Sequence, residues 1–109
     1  MSEAKLIHPG TVLRDRVLPG LGLSVIQAAR ELHICRQTLH HILAGRAAIT
    51  PGMAARLSRL SGVPAKFWLG LQQTYDLAHA EANLAEMLSR IPAHALPPAI
   101  AKELTAYGR

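Results

Sequence analysis

Two short apolar stripes, Ala28, Ala29 and Leu32 and then Leu39, Ile42 and Leu43, recur at the three- and four-residue steps that place side chains on one face of a helix. They predict two short helices joined by a tight turn over Ser24 to Arg46, with Ile34 plugging the gap between them. Ser24 precedes the first helix as its N-cap, its hydroxyl free to accept an orphan amide. Ala29 is small where two steeply crossing helices bring their backbones together. The second helix has a polar front of Arg36, Gln37, His40 and His41.

The flanking pattern is also helical. His8-Pro9-Gly10 reads as a turn after an extended, partly mobile start, and Thr11 caps a helix to about Leu18, stopped by Pro19, Gly20 and Gly22. Downstream, Ala44-Gly45-Arg46 ends the second central helix, and Thr50-Pro51 restarts the chain as N-cap and first helical residue. Met53, Leu57 and Leu60 line that helix before Gly62 ends it. Pro64 opens a helix holding Phe67, Trp68, Leu71 and Tyr75, read as core or subunit contact. An Ala-rich helix continues from Asp76 to Arg90 with Leu77, Ala80, Leu84, Leu88 and Ile91 on one stripe, until Pro92. A short helix over 99–106 follows; the sequence leaves open whether this tail packs, swaps onto a partner subunit or stays loose.

The expectation is an all-α chain. It divides into an N-terminal segment (1–10), a helix-turn-helix domain (11–77) and a C-terminal helix and tail (78–109). Its 109 residues suit one domain, and half of them are hydrophobic with few aromatic or β-branched side chains. No run of eighteen apolar residues predicts a membrane span, and the opening MSEAKLIHPG lacks the apolar core of a signal peptide. One cysteine requires no oxidising compartment, so a cytoplasmic protein is expected.

Charge sharpens this picture. Of the net +5, Lys5 to Lys66 holds nine Lys or Arg against Asp15 and Glu31, while Phe67 to Arg109 holds three basic against four acidic residues. No acidic residue lies between Glu31 and Asp76. An acid-free block around a helix with a dry back and a hydrogen-bonding front fits the major groove of DNA, where each phosphate contact releases counterions. Arginine can fork onto guanine and glutamine onto adenine, so Arg36 and Gln37 are the first base-reading candidates. Arg46, Arg56, Arg59 and Lys66 are candidates for phosphate contact, with Arg46 the best placed and a solvated helix face at least as good a reading of the other three.

Two turn residues stand out. His33 occupies a position that calls for a left-handed backbone, where glycine is usual. Cys35 falls where Ser or Thr would cap the second helix, and a thiol is the weaker acceptor. Cys35 lies among His33, His40 and His41, but the first pair straddles a turn and the second pair is about 100° apart on a helix, so no metal site is expected. No paired carboxylates, Ser/His/Asp set or phosphate-cradling loop is present; neither an enzyme nor a cofactor is expected.

The string IHPG, LGLS, RQTL, AGRAAITPGMAARL and FWLGLQQTYDL resembles the HigA family of antitoxins, within the Cro/C1-type (XRE) helix-turn-helix class, over roughly Ile7 to Leu77. The resemblance implies a five-helix, lambda-repressor-like DNA-binding domain, here with an added C-terminal helix. It implies a homodimer on an inverted-repeat operator in double-stranded DNA, autorepression, and neutralisation of a small RelE-like (HigB) mRNA-cleaving toxin. It places Arg36, Gln37 and His41 at base-reading positions with His40 beside them. Ser24, Val25 and Thr38 fall near the DNA backbone, and Gly45 and Arg46 fall on a loop approaching a phosphate. The chain departs from the family at His33, Cys35 and Ala44, which replace a glycine, a serine and an asparagine. The alternatives are a solitary phage- or plasmid-type regulator without a toxin, or an interaction bundle that binds no DNA.

Overall fold

A computed structural model of the chain describes residues 6–108 and is all-helical over that span. The start of the expected N-terminal segment, Met1 to Lys5, lies outside the described residues. Helix α1 covers residues 9–21, with an internal π-helical turn over Leu13–Val17. Helices α2 (Val25–Leu32), α3 (Arg36–Leu43), α4 (Pro51–Ser61) and α5 (Ala65–Asn83) complete a five-helix domain. Helices α6 (Ala85–Ser89) and α7 (Pro98–Thr105) follow.

The caps explain most boundaries. Ser24 Oγ accepts the Gln27 amide at 3.1 Å, and Thr50 Oγ1 accepts the Met53 amide at 3.2 Å with Pro51 next in line. Gly62 closes α4 in a left-handed conformation, φ 79°. The start of α1 differs from expectation. His8, not Thr11, is the N-cap: its Nδ1 accepts the Gly10 amide at 2.9 Å, and Pro9 fills the first helical position, where a missing N–H costs nothing. Thr11 instead donates its hydroxyl back to the His8 carbonyl at 2.8 Å.

Pro19 does not stop α1, which runs on to Leu21 and ends at left-handed Gly22. The π turn is the reason. A proline inside an α-helix lacks its hydrogen bond and drives its ring into the carbonyl four residues back; widening the preceding turn moves that carbonyl aside. The Leu18 amide accordingly bonds the Leu13 carbonyl, five residues back.

The core is one cluster. Leu13 and Leu18 from α1, Ala28, Ala29 and Leu32 from α2, and Leu39, Ile42 and Leu43 from α3 meet Ile49, Met53, Ala54 and Leu57 around fully buried Trp68. Ile34 is half-buried against it. Phe67, by contrast, is exposed, and Leu71 and Tyr75 are only half-buried. The long C-terminal helix is interrupted at Leu84 (φ −103°, ψ 9°), and every described residue from His79 onward is exposed. The radius of gyration, 17.8 Å, exceeds the roughly 13 Å of a compact chain near this length. The molecule is a helical domain with a projecting arm.

Candidate nucleic-acid interface

The site is built on the turn between α2 and α3. His33 ends α2 in the left-handed conformation, φ 59° and ψ 44°, the only non-glycine positive φ among the described residues. Histidine bears that strain better than a branched residue. The Ile34 amide closes back on the Ala29 carbonyl at 3.0 Å, satisfying an orphan acceptor at the helix end. Cys35 then caps α3 as expected: its Sγ accepts the Thr38 amide at 3.4 Å and lies 3.0 Å from Thr38 Oγ1. The Thr38 hydroxyl and then its amide hold the Cys35 thiol below the usual thiol range.

Leu39, Ile42 and Leu43 anchor α3 in the core, which fixes what faces out. At about 100° per residue, Gln37 and His41 stand opposite the buried stripe, with Arg36 and His40 on one flank and Thr38 on the other. Arg36, Gln37, Thr38 and His40 are exposed, and His41 is half-buried. The His41 carbonyl accepts the amides of Arg46 (2.8 Å) and Ala47 (3.2 Å), so the loop carrying Gly45 and Arg46 folds tightly onto the end of α3. Gly45 takes φ 76° there. Arg36 and Arg46 form no ion pair among the described residues. Ser24 is exposed, but Val25 turns its side chain onto the core and leaves its main-chain amide at the open first turn of α2.

Of the other arginines, Arg56 has a different task from the expected phosphate contact. Its Nη1 donates to the carbonyls of Leu32 (2.6 Å) and His33 (3.2 Å), clamping the strained turn from α4. Arg56→Ala is therefore expected to leave two carbonyls unpaired and to cost about 1–3 kcal/mol of stability, read by urea unfolding with Trp68 fluorescence. An unchanged midpoint would remove Arg56 from the turn's support.

Three further residues position the site without facing outward, and sequence reasoning missed them. Buried Gln72 on α5 accepts the Ile49 amide at 2.8 Å and donates to Asp76 at 3.0 Å, fixing the end of the loop after α3. His8 is buried: besides capping α1 it meets Tyr75 edge-on at 5.1 Å. Gly10 lets α1 press against the Ile42 carbonyl. The missed signal at His8 was its place directly before a proline, where an N-cap belongs.

Burial, against the smaller opposing pull of Asp76, lowers the His8 pKa. The folded chain thus refuses a proton that the unfolded chain takes up near 6.5. Stability is then full above that pH and falls as pH drops through it toward the lower folded value. His8→Asn, which keeps a capping acceptor but cannot titrate, is expected to flatten the pH dependence of unfolding between about 7.5 and 5.

Fold and site define a helix-turn-helix protein of the Cro/C1 type. No family model matches the chain. Virulence-associated protein I of Dichelobacter nodosus is 36% identical over 91 residues, 84% of each chain. Pseudomonas aeruginosa antitoxin HigA, solved with the higBA promoter, superposes with a TM-score of 0.77 at 34% identity, over 84% of this chain and all of its own. Antitoxin GraA in complex with its operator gives 0.77 at 31% identity, over 88% of this chain and 98% of its own. The chain belongs to the HigA-like, VapI-type family of helix-turn-helix proteins.

Proposed function

We propose that this chain is the antitoxin of a type II toxin–antitoxin pair. In this reading it acts in the cytoplasm as a homodimeric, sequence-specific DNA-binding repressor of its own operon and neutralises a RelE-like (HigB) mRNA-cleaving toxin. The observation that carries the DNA half is the outward face of α3, with uncompensated Arg36 beside Gln37, His40 and His41 on a helix whose other side is locked in the core. Arg36 and Gln37 read base edges, with His40 and His41 beside them. Ser24, the Val25 amide, Thr38, Gly45 and Arg46 hold the phosphate backbone. Two copies put their α3 helices into successive major grooves about one turn, ~34 Å, apart, so the operator is an inverted repeat and affinity falls steeply with salt. The reading involves no catalysis and no cofactor. Exposed Leu6, Ile7 and Phe67 offer the toxin apolar surface outside α3.

A solitary regulator is the second reading, favoured by one comparison: a relative from Escherichia coli K12, 37% identical over 84 residues, is described as an HTH-type transcriptional regulator. The chain should be tagged, purified from its native host and split. One half is nuclease-treated for mass spectrometry of its partners, and DNA is sequenced from the other. A stoichiometric small basic protein plus promoter DNA supports the antitoxin; an inverted repeat with no partner supports the solitary regulator. A partner with no enriched DNA sinks the repressor half.

A further inference from the structure

The arm beyond the five-helix domain is folded yet covered by nothing. Helix α7 has eight residues, and isolated helices shorter than about 12–15 residues are marginal in water. It presents Ile100 and Leu104 on one face, with Tyr107 in the 3₁₀ turn that follows (Ala106–Gly108), all exposed. From Leu77 to Tyr107, nine apolar side chains stand 42–75% exposed. So many exposed apolar side chains on one projecting arm mark an interaction surface, where single scattered ones would need no explanation.

Three observations choose a second copy as the occupant. A groove of about 600 Å³ runs beside α5, lined by apolar Ile49, Leu69, Leu77 and Ala80 and by polar Gln72, Gln73 and Asp76, and it is open in the chain's own fold. The linker between α6 and α7 has no secondary structure over 92–97 and is stiffened by Pro92 and Pro97, with Pro98 opening α7. It carries α7 outward instead of back along α5. Finally, residues 77–108 hold Glu81, Glu86 and Glu103 against Arg90 and Lys102, close to neutral, whereas the helix-turn-helix region is strongly basic. Two arms can meet without repulsion while the basic domains stay apart.

We propose that two copies of this chain exchange their C-terminal helices, each α7 and the turn after it seating Ile100, Leu104 and Tyr107 in the groove beside α5 of the other. The exchange is two-fold symmetric, so each copy gives and receives the same surface. It rests on the two-copy reading above and names the segment that makes it.

The test pairs two measurements on the full chain. In a Cys35→Ser background, Gln73→Cys with Leu104→Cys is oxidised and run on a non-reducing gel. A covalent dimer is the expected product; a compact oxidised monomer means α7 docks on its own chain, and no cross-link means it does not occupy the groove, and either overturns the exchange. In the second, Ile100→Asp with Leu104→Asp is expected to weaken the dimer at least 100-fold by sedimentation, with Trp68-monitored unfolding of the domain retained. A variant that dimerises as well as the parent overturns the exchange, while continued binding to an inverted repeat leaves the two-copy reading standing. A parent chain that sediments as a monomer overturns both.

Discussion

Gly10→Ala is expected to destabilise the protein by ~3 kcal/mol or more, a large part of the roughly 5–15 kcal/mol that holds a domain together. A Cβ at residue 10 would overlap the Ile42 carbonyl oxygen of α3 and come within 3.0 Å of His8 Nδ1. Both neighbours are fixed. Ile42 is buried in the core, and its carbonyl accepts the Gly45 amide at 3.0 Å. His8 is held by its cap and by Tyr75. Relief requires α1 to lift off α3, which moves the very helix that carries Arg36 and Gln37. Gly20→Ala is the control: it lies in the same helix, a Cβ there meets nothing within 4 Å, and the substitution is expected to be neutral or to stabilise by about 0.5–1 kcal/mol. Urea unfolding read at Trp68 compares the two. Equal midpoints would mean that α1 does not press on α3.

The second large effect is on DNA. Arg36→Ala and Gln37→Ala are each expected to lose about 1–3 kcal/mol of discrimination, roughly 5- to 150-fold in the ratio of operator to scrambled-site affinity. Thermal unfolding should stay unchanged, because both side chains are exposed and bond nothing in the fold. Neighbouring residues need not add, so the double variant tells whether they read one base step together. Arg46→Ala should behave differently, weakening operator and scrambled DNA alike and reducing the salt slope by about one. Anisotropy titrations at two or more salt concentrations separate these outcomes. An unaltered ratio in both α3 variants would remove α3 as the reading element.

What could be read before the structure was local. Ser24, Thr50-Pro51 and Gly62 announce helix ends through chemistry that acts within three or four residues, and the turn at His33 and the Cys35 cap follow from the same short-range rules. What could not be read depends on partners far along the chain. Arg56 reaches back 24 residues to Leu32, and Gln72 reaches 23 to Ile49. No periodicity distinguishes such residues from ordinary exposed polar ones, so neither the turn contact of Arg56 nor the loop contact of Gln72 is legible in the sequence. Pro19 misled for a related reason: a proline's cost depends on whether the preceding turn can widen, and composition does not report that. In the arm, the stripe from Leu77 to Ile91 was legible as a helix face, but a stripe does not say what it faces.

The cap of α3 has a practical consequence. The chain carries a single thiol, and it is exposed at the start of α3, the helix proposed to read the DNA. Thr38 holds its pKa below the ordinary thiol range, which favours the thiolate that reacts with alkylating reagents. Alkylation kinetics of the unmodified protein therefore make a footprinting assay with no engineered label. A bound duplex that occludes α3 slows the reaction, and one that does not leaves the rate where it was.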